Sequence, residues 1–200
     1  MTSGPSITLN QITFYGQGLV RPECVTASRN GDLYASHGGG GITHITPDGK
    51  ANVILAKNNE KPSDFLPNGY SLQPDGSFLV ANLGQSGGVY VLNRDGSLNE
   101  FIREVDGLTL PATNFVNLDR TGRTWISVST TALNREQSFS KSIADGFIVL
   151  VDQAGARIVA EGIGFTNENK IDPSGRWLYV HETMGRSLLR FPIRSNNDLG

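Results

Sequence analysis

The chain has 200 residues, a formal net charge of −2, 38% apolar and 18% charged residues, and 24 glycines. That length suffices for one domain with a sizeable core, and the near-neutral balance gives no reason to expect nucleic acid or an anionic membrane surface as partner. The one cysteine, Cys24, cannot form an intramolecular disulfide, so nothing points to an oxidising compartment.

The opening "MTSGPSITLN" has neither a basic n-region nor an apolar h-region, so it does not read as a signal peptide. The longest apolar runs, such as "FIVLV" at 147–151, are too short for a membrane-spanning helix. A cytoplasmic location is the default expectation. Next, "ITLNQITF" at 7–14 reads as a strand.

Four similar units follow. Their opening segments are "ECVTASRNGDLYAS" from Glu23, "NGYSLQPDGSFLVA" from Asn68, "NFVNLDRTGRTWIS" from Asn114 and "NENKIDPSGRWLYV" from Asn167. Aligned on Gly31, Gly76, Gly122 and Gly175, they repeat at spacings of 45, 46 and 53 residues. Each segment reads as strand, tight turn, strand, with the second strand richer in apolar and aromatic residues, as buried central strands are. A third strand follows in every unit: "GGITHITPDG", "GGVYVLNRDG", "DGFIVLVDQAG" and "RSLLRFPI". A more polar fourth strand follows in the earlier units, for example "ANVILA" at 51–56 and "ARIVAEG" at 156–162; the last unit lacks one. Four antiparallel strands per unit at a period near 46 residues is the signature of a β-propeller blade. The fold class expected is therefore all-β, with blades near 23–56, 68–103, 114–162 and 167–200. A generic β-sandwich would also give short strands and Gly turns, but it would not explain the fixed offset described next.

Eight residues before each anchoring glycine stand Glu23, Asn68, Asn114 and Asn167. Equivalent positions in successive blades lie on a ring about the propeller axis, so one carboxylate and three carboxamides are expected at one mouth of the central channel. These are hard oxygen donors, suited to Ca²⁺ or another divalent cation with water completing the shell. The bland alternative is a set of turn residues, since Asn-Gly is a common turn pair. Asn114 and Asn167, however, are followed by Phe115 and Glu168, which are not turn partners.

These same stretches, with "GIGFTNENKIDPSGRWLYVHETMGRSLLRF" the most specific, resemble the SMP-30/gluconolactonase/LRE-like family of six-bladed propellers. The resemblance covers nearly the whole chain. It implies a divalent-metal-dependent hydrolase acting on a sugar lactone or another cyclic ester. It implies that Glu23 and Asn167 are metal ligands, that Asn114 contacts the metal, its water or the substrate, and that Asn68, at the ring position of the second blade where the family varies, is a substrate contact. Two departures follow. The family's sugar-lactone members carry an Arg where this chain has Ala112. The family's metal-binding Asp, its proposed base, comes from a fifth blade, beyond Gly200. On this reading the sequence is truncated after the fourth blade, with about 90 residues to come, and the strand at 7–14 closes the sixth blade; in a self-contained four-bladed ring it would close the fourth.

Among further candidates, Glu182 is a possible substrate contact, with pairing to Arg186 or backbone capping as the structural alternative. The 130–146 stretch lengthens the third unit and is expected near the site mouth as a substrate-selecting lid. "HGGGG" from His37 lacks a following helix and a Lys, so it reads as a hairpin connection and not a phosphate cradle. His44 and His181 lack zinc spacing, and Cys24 reads as a small buried residue. Two other functions stay open: a non-catalytic propeller binding a small ligand or protein, and a strictosidine-synthase-like lyase. The cation is expected to be Ca²⁺, with Zn²⁺, Mg²⁺ or Mn²⁺ as alternatives.

Overall fold

A computed structural model describes residues 7–200. Among them the chain forms a β-propeller arrangement of four blades, with two short 3-10 turns as its only helical elements. Blade one contains β1 (Val25–Ala27), β2 (Leu33–His37), β3 (Gly41–Ile45) and β4 (Ala51–Leu55). Blade two contains β5 (Pro67–Leu72), β6 (Phe78–Asn82), β7 (Val89–Leu92) and β8 (Leu98–Ile102). A small hairpin, β9 (Glu104–Val105) and β10 (Leu108–Thr109), leads to blade three: β11 (Thr113–Leu118), β12 (Thr124–Val128), β13 (Gly146–Asp152) and β14 (Gly155–Ile163). Blade four has three strands, β15 (Thr166–Ile171), β16 (Trp177–Glu182) and β17 (Ser187–Pro192). Strands pair antiparallel in chain order within each blade.

The turn chemistry explains the repeat. Each anchoring glycine closes the turn between a blade's first two strands with φ between +73° and +89°, a conformation that costs glycine least. In blades two to four the Asp at the head of the turn accepts hydrogen bonds from the residue two further on, as Asp75 does from Ser77 and Asp172 from Ser174.

Blade-to-blade packing follows from period-two alternation. Along β6, Phe78 and Val80 face a core shared with Tyr34, Ile42 and Tyr70 of β2, β3 and β5. Leu79 and Ala81 face the other way, into a core with Val116, Ile126, Val128 and Phe147. Along β12 Trp125 turns to a third core, with Ile148, Leu150, Leu178 and Val180. A strand buried on both faces has no polar side, which is why β6 reads as an apolar run from Phe78 to Ala81; in β12 the run is broken by Ser127, whose buried hydroxyl accepts from Asn169. Truncating Phe78 or Trp125 to Ala should cost about 3–5 kcal/mol. Polar bonds stitch the same boundaries near the axis. Tyr70 donates to the Tyr34 carbonyl, Ser71 to the Val116 carbonyl, and Asn169 to the Ser127 hydroxyl.

Among the described residues, blades one and four share no strand pairing, and a cavity of about 270 Å³ lined by Val25 of one and Leu188 of the other lies between them. Val25, Val53 and Leu55 on one, and Leu188 on the other, are exposed. Residues 7–14, expected to form a strand, instead hold a 3-10 turn over Leu9–Gln11. They do not pair with blade four among the described residues. Their apolar side chains Ile7, Leu9 and Phe14 are exposed, so nothing buries an edge strand there. The four glycines after His37 make a tight hairpin between β2 and β3, where the Gly39 amide donates to the His37 ring.

Candidate functional site

The four ring positions meet as the repeat requires. Glu23, Asn68, Asn114 and Asn167 line one cleft of about 330 Å³, together with Arg21, Leu83, Arg135, Phe139, Phe165, Thr183 and Met184.

A shared local device aims the three carboxamides. The β5–β6 register shifts between Pro67 and Tyr70, the β11–β12 register between Thr113 and Phe115, and the β15–β16 register between Thr166 and Asn169. Asn68, Asn114 and Asn167 each sit inside one of these irregularities. An extra residue in one strand of a pair bends that strand and re-aims its side chain. Two residues before the ring position the backbone is left-handed in three blades: Arg21 has φ +47°, Ala112 +45° and Phe165 +61°. Non-glycine residues adopt this region at a cost, and such strain gathers at functional sites. Neither feature disturbs the hydropathy pattern, so sequence reasoning missed both.

Asn68-Gly69 is not a turn pair. Both residues lie inside β5. A Cβ on Gly69 would stand 2.2 Å from the Phe115 ring, so its absence lets β5 lie against the neighbouring blade. That approach puts Asn68 within reach of Asn114. The Asn68 amide nitrogen donates to the Asn114 carbonyl at 2.9 Å and to its side-chain oxygen at 3.1 Å. Asn114 donates in turn to the Ser129 hydroxyl, which donates to the Thr166 carbonyl.

Arg21 extends this chain to blade one. Its guanidinium donates to the Asn68 side-chain oxygen at 2.7 Å and the Pro67 carbonyl at 3.2 Å, and stands 3.7 Å from the Glu23 carboxylate. Asn68, read from sequence as a substrate contact, thus lines the cleft with both ends of its amide engaged inside the protein. Arg21 was not singled out in the sequence, though its place two residues before Glu23 matches Ala112 and Phe165 in the repeat.

Glu23 is the one carboxylate lining the cleft, its side chain half exposed. Asn167 makes no side-chain hydrogen bond among the described residues, and Asn114 keeps acceptor capacity on its side-chain oxygen. Among the described residues no three His, Cys, Asp or Glu side chains converge as a metal site. The donors present are one carboxylate and two carboxamides. That set fits a hard divalent cation that retains several waters, and the lack of His or Cys in the lining suits Zn²⁺ less well.

Glu182 does not line the cleft. Its carboxylate accepts from the Gly164 amide at 2.7 Å and from the Ser187 hydroxyl at 2.6 Å. This is the geometry of the backbone-capping alternative, and the expected substrate contact is not brought into the cleft lining. Cys24 is half-buried, and burial pushes its thiol above the ordinary value, which suits a packing residue better than a nucleophile. The 130–146 stretch reaches the cleft through Arg135 and Phe139, and the Phe139 and Phe165 rings pack edge to face at 4.9 Å.

The model of the SMP-30/Gluconolactonase/LRE-like region matches residues 21–200. No curated protein matches the chain in sequence. Among solved structures, a gluconolactonase from Xanthomonas campestris is 18% identical, with 85% of this chain and 57% of that one covered and a TM-score of 0.68. The calcium-binding protein regucalcin from Agrobacterium tumefaciens is 17% identical, with 90% and 56% covered and a TM-score of 0.65. Virginiamycin B lyase from Staphylococcus aureus is 15% identical, with 95% and 57% covered and a TM-score of 0.62. At these identities the likeness shows the fold alone. The chain spans less than three fifths of the length of each of these three structures.

Proposed function

Because the chain belongs to the SMP-30/gluconolactonase/LRE-like family, we propose that it provides the binding half of a divalent-metal-dependent hydrolase that opens a lactone or related cyclic ester. The observation carrying this reading is the convergence of Glu23, Asn68, Asn114 and Asn167 in one cleft from the same position of four repeats. A propeller used only as an interaction platform has no need of such a set.

In this reading Glu23 and Asn167 hold the cation, with Asn114 completing its protein ligands or orienting substrate. When bound, the cation supplies Lewis acidity to an ester carbonyl and its oxyanion. Arg21 stands between Glu23 and Asn68, pairing with the first and donating to the second, and Asn114 is positioned by its bonds to Asn68 and Ser129. Phe139 and Phe165, packed edge to face, give the cleft an apolar patch beside these donors. No carboxylate besides Glu23 lines the cleft among the described residues. A base for the attacking water is therefore not assigned to this chain. That same fact favours a second reading, a propeller that binds a cyclic ligand without turning it over.

The test is hydrolysis of D-glucono-1,5-lactone by the full-length protein at constant pH. Acid release above the uncatalysed rate of the lactone is expected to stop with EDTA, return with Ca²⁺ and disappear in Glu23→Gln. Hydrolysis unaffected by chelation and by that substitution would overturn the metal assignment. Cation binding without hydrolysis of any lactone would favour the binding reading. Among the described residues no helix is long and apolar enough to cross a membrane; a small-molecule substrate and a cytoplasmic site of action belong to this proposal.

A further inference from the structure

We infer that the cleft takes a ligand bearing an ionised carboxylate, and that Arg135 is the residue that selects it. Two guanidiniums and one carboxylate line the cleft, and its other lining residues are neutral. Arg21 is already engaged by Glu23, Asn68 and the Pro67 carbonyl. Arg135 has no hydrogen bond or ion pair among the described residues. A planar guanidinium fork left unpaired at the wall of a cleft is built to take a carboxylate through two parallel hydrogen bonds.

The backbone that carries Arg135 is held by bonds within the insertion. It opens the 3-10 turn Arg135–Ser138, whose preceding Asn134 accepts from the Glu136 amide at 3.2 Å. The Ser138 and Thr130 hydroxyls lie 2.6 Å apart. Asp145 closes the neck of the insertion by accepting from the Thr130 and Thr131 hydroxyls, both at 2.7 Å, and from the Thr131 amide at 3.0 Å. Arg135 also borders an adjoining hollow of about 310 Å³, where Ala112 leaves space. Two acids border that hollow and not the cleft. Asp64 is held by Ser86, and Glu136 makes no ion pair with Arg135. Phe139 and Phe165 also line the cleft and give it apolar aromatic surface that suits the CH face of a small ring. Resting on the cyclic-ester reading above for the ring but not for its charge, the ligand is a lactone with a free carboxylate substituent.

Titration calorimetry of the full-length protein with D-glucuronate and D-glucose isolates the charge, since the two differ by a carboxylate against a hydroxymethyl group. Glucuronate is expected to bind at least roughly tenfold more tightly, as one charge-assisted pair should give. Arg135→Gln should bring glucuronate to the glucose value, Arg135→Lys should keep part of the preference, and neither should change the melting temperature. Equal affinities in the wild type, no binding of either sugar, or an undiminished preference in Arg135→Gln would overturn the assignment. If no lactone is hydrolysed while the glucuronate preference stands, the hydrolase reading fails and the carboxylate site remains. If neutral lactones are opened with no preference for a carboxylate, the reverse holds.

Discussion

Asn68 and Asn114, one repeat apart, share a hydrogen bond across the boundary between blades two and three, and they can do so because Gly69 lets Phe115 close on the backbone between them. Any Cβ at Gly69 must push the blades apart. Gly69→Ala is therefore expected to destabilise more than Asn68→Ala, which leaves buried partners unpaired and should cost about 1–3 kcal/mol. Urea denaturation of both variants checks the order. A Gly69→Ala protein as stable as the wild type would mean that the close approach is not required.

Glu23 contributes the cleft's one carboxylate, and a site's cation affinity scales with its charged ligands. Glu23→Gln in the full-length protein should lower Ca²⁺ affinity by roughly tenfold or more by calorimetry. Its side chain is half exposed, so stability should shift by no more than about 0.5 kcal/mol. Asn167→Ala should also weaken the cation. Unchanged Ca²⁺ binding in both variants would remove them from the ligand set.

Glu182 should behave in the opposite way. Its carboxylate satisfies the buried Gly164 amide and the Ser187 hydroxyl. Glu182→Ala is expected to cost about 1–3 kcal/mol of stability and to leave Ca²⁺ and sugar affinity intact. A loss of ligand affinity at full stability would return Glu182 to the site.

Acid should loosen the join between blades three and four. Arg157 hydrogen-bonds Asp152 and holds its carboxyl at about 2, with Asn197 also donating to it. An unfolded Asp titrates near roughly 3.9. As pH falls the unfolded chain takes up the proton first, so this contribution is complete above about pH 4–5 and is lost as pH drops through about 2. The melting temperature of Asp152→Asn should be lower than wild type at neutral pH and fall less between pH 5 and pH 2, windows set by about those two values. Parallel melting curves for the two proteins across that range would show that Asp152 does not carry the effect.

The blades were legible because their determinants are local. An Asp-Gly or Ser-Gly turn and an apolar strand buried on both faces leave their mark within a dozen residues, as in the run from Gln73 to Val80. The ring was legible because repetition turns a local offset into a spatial one. Arg21 was not, because its contacts lie in another blade, with Pro67 and Asn68. Glu182 looked like a site residue by its place at a strand end; only the fold shows it turned onto the Gly164 amide. The 7–14 segment has strand-like composition, but composition does not supply the neighbour that a strand needs.

Asp145 ties the two ends of the third-blade insertion together at its base, through Thr130 and Thr131. The residues between are thereby anchored at their root, with the Ser138 hydroxyl and the Phe139 ring as further points of attachment. Such an arrangement behaves as an exchangeable cassette: its length and side chains can drift through descent, or be grafted by an engineer, while the ring below keeps its donors. Diversity of ligand choice on one scaffold would then be written in 132–144, with Glu23, Asn114 and Asn167 left alone.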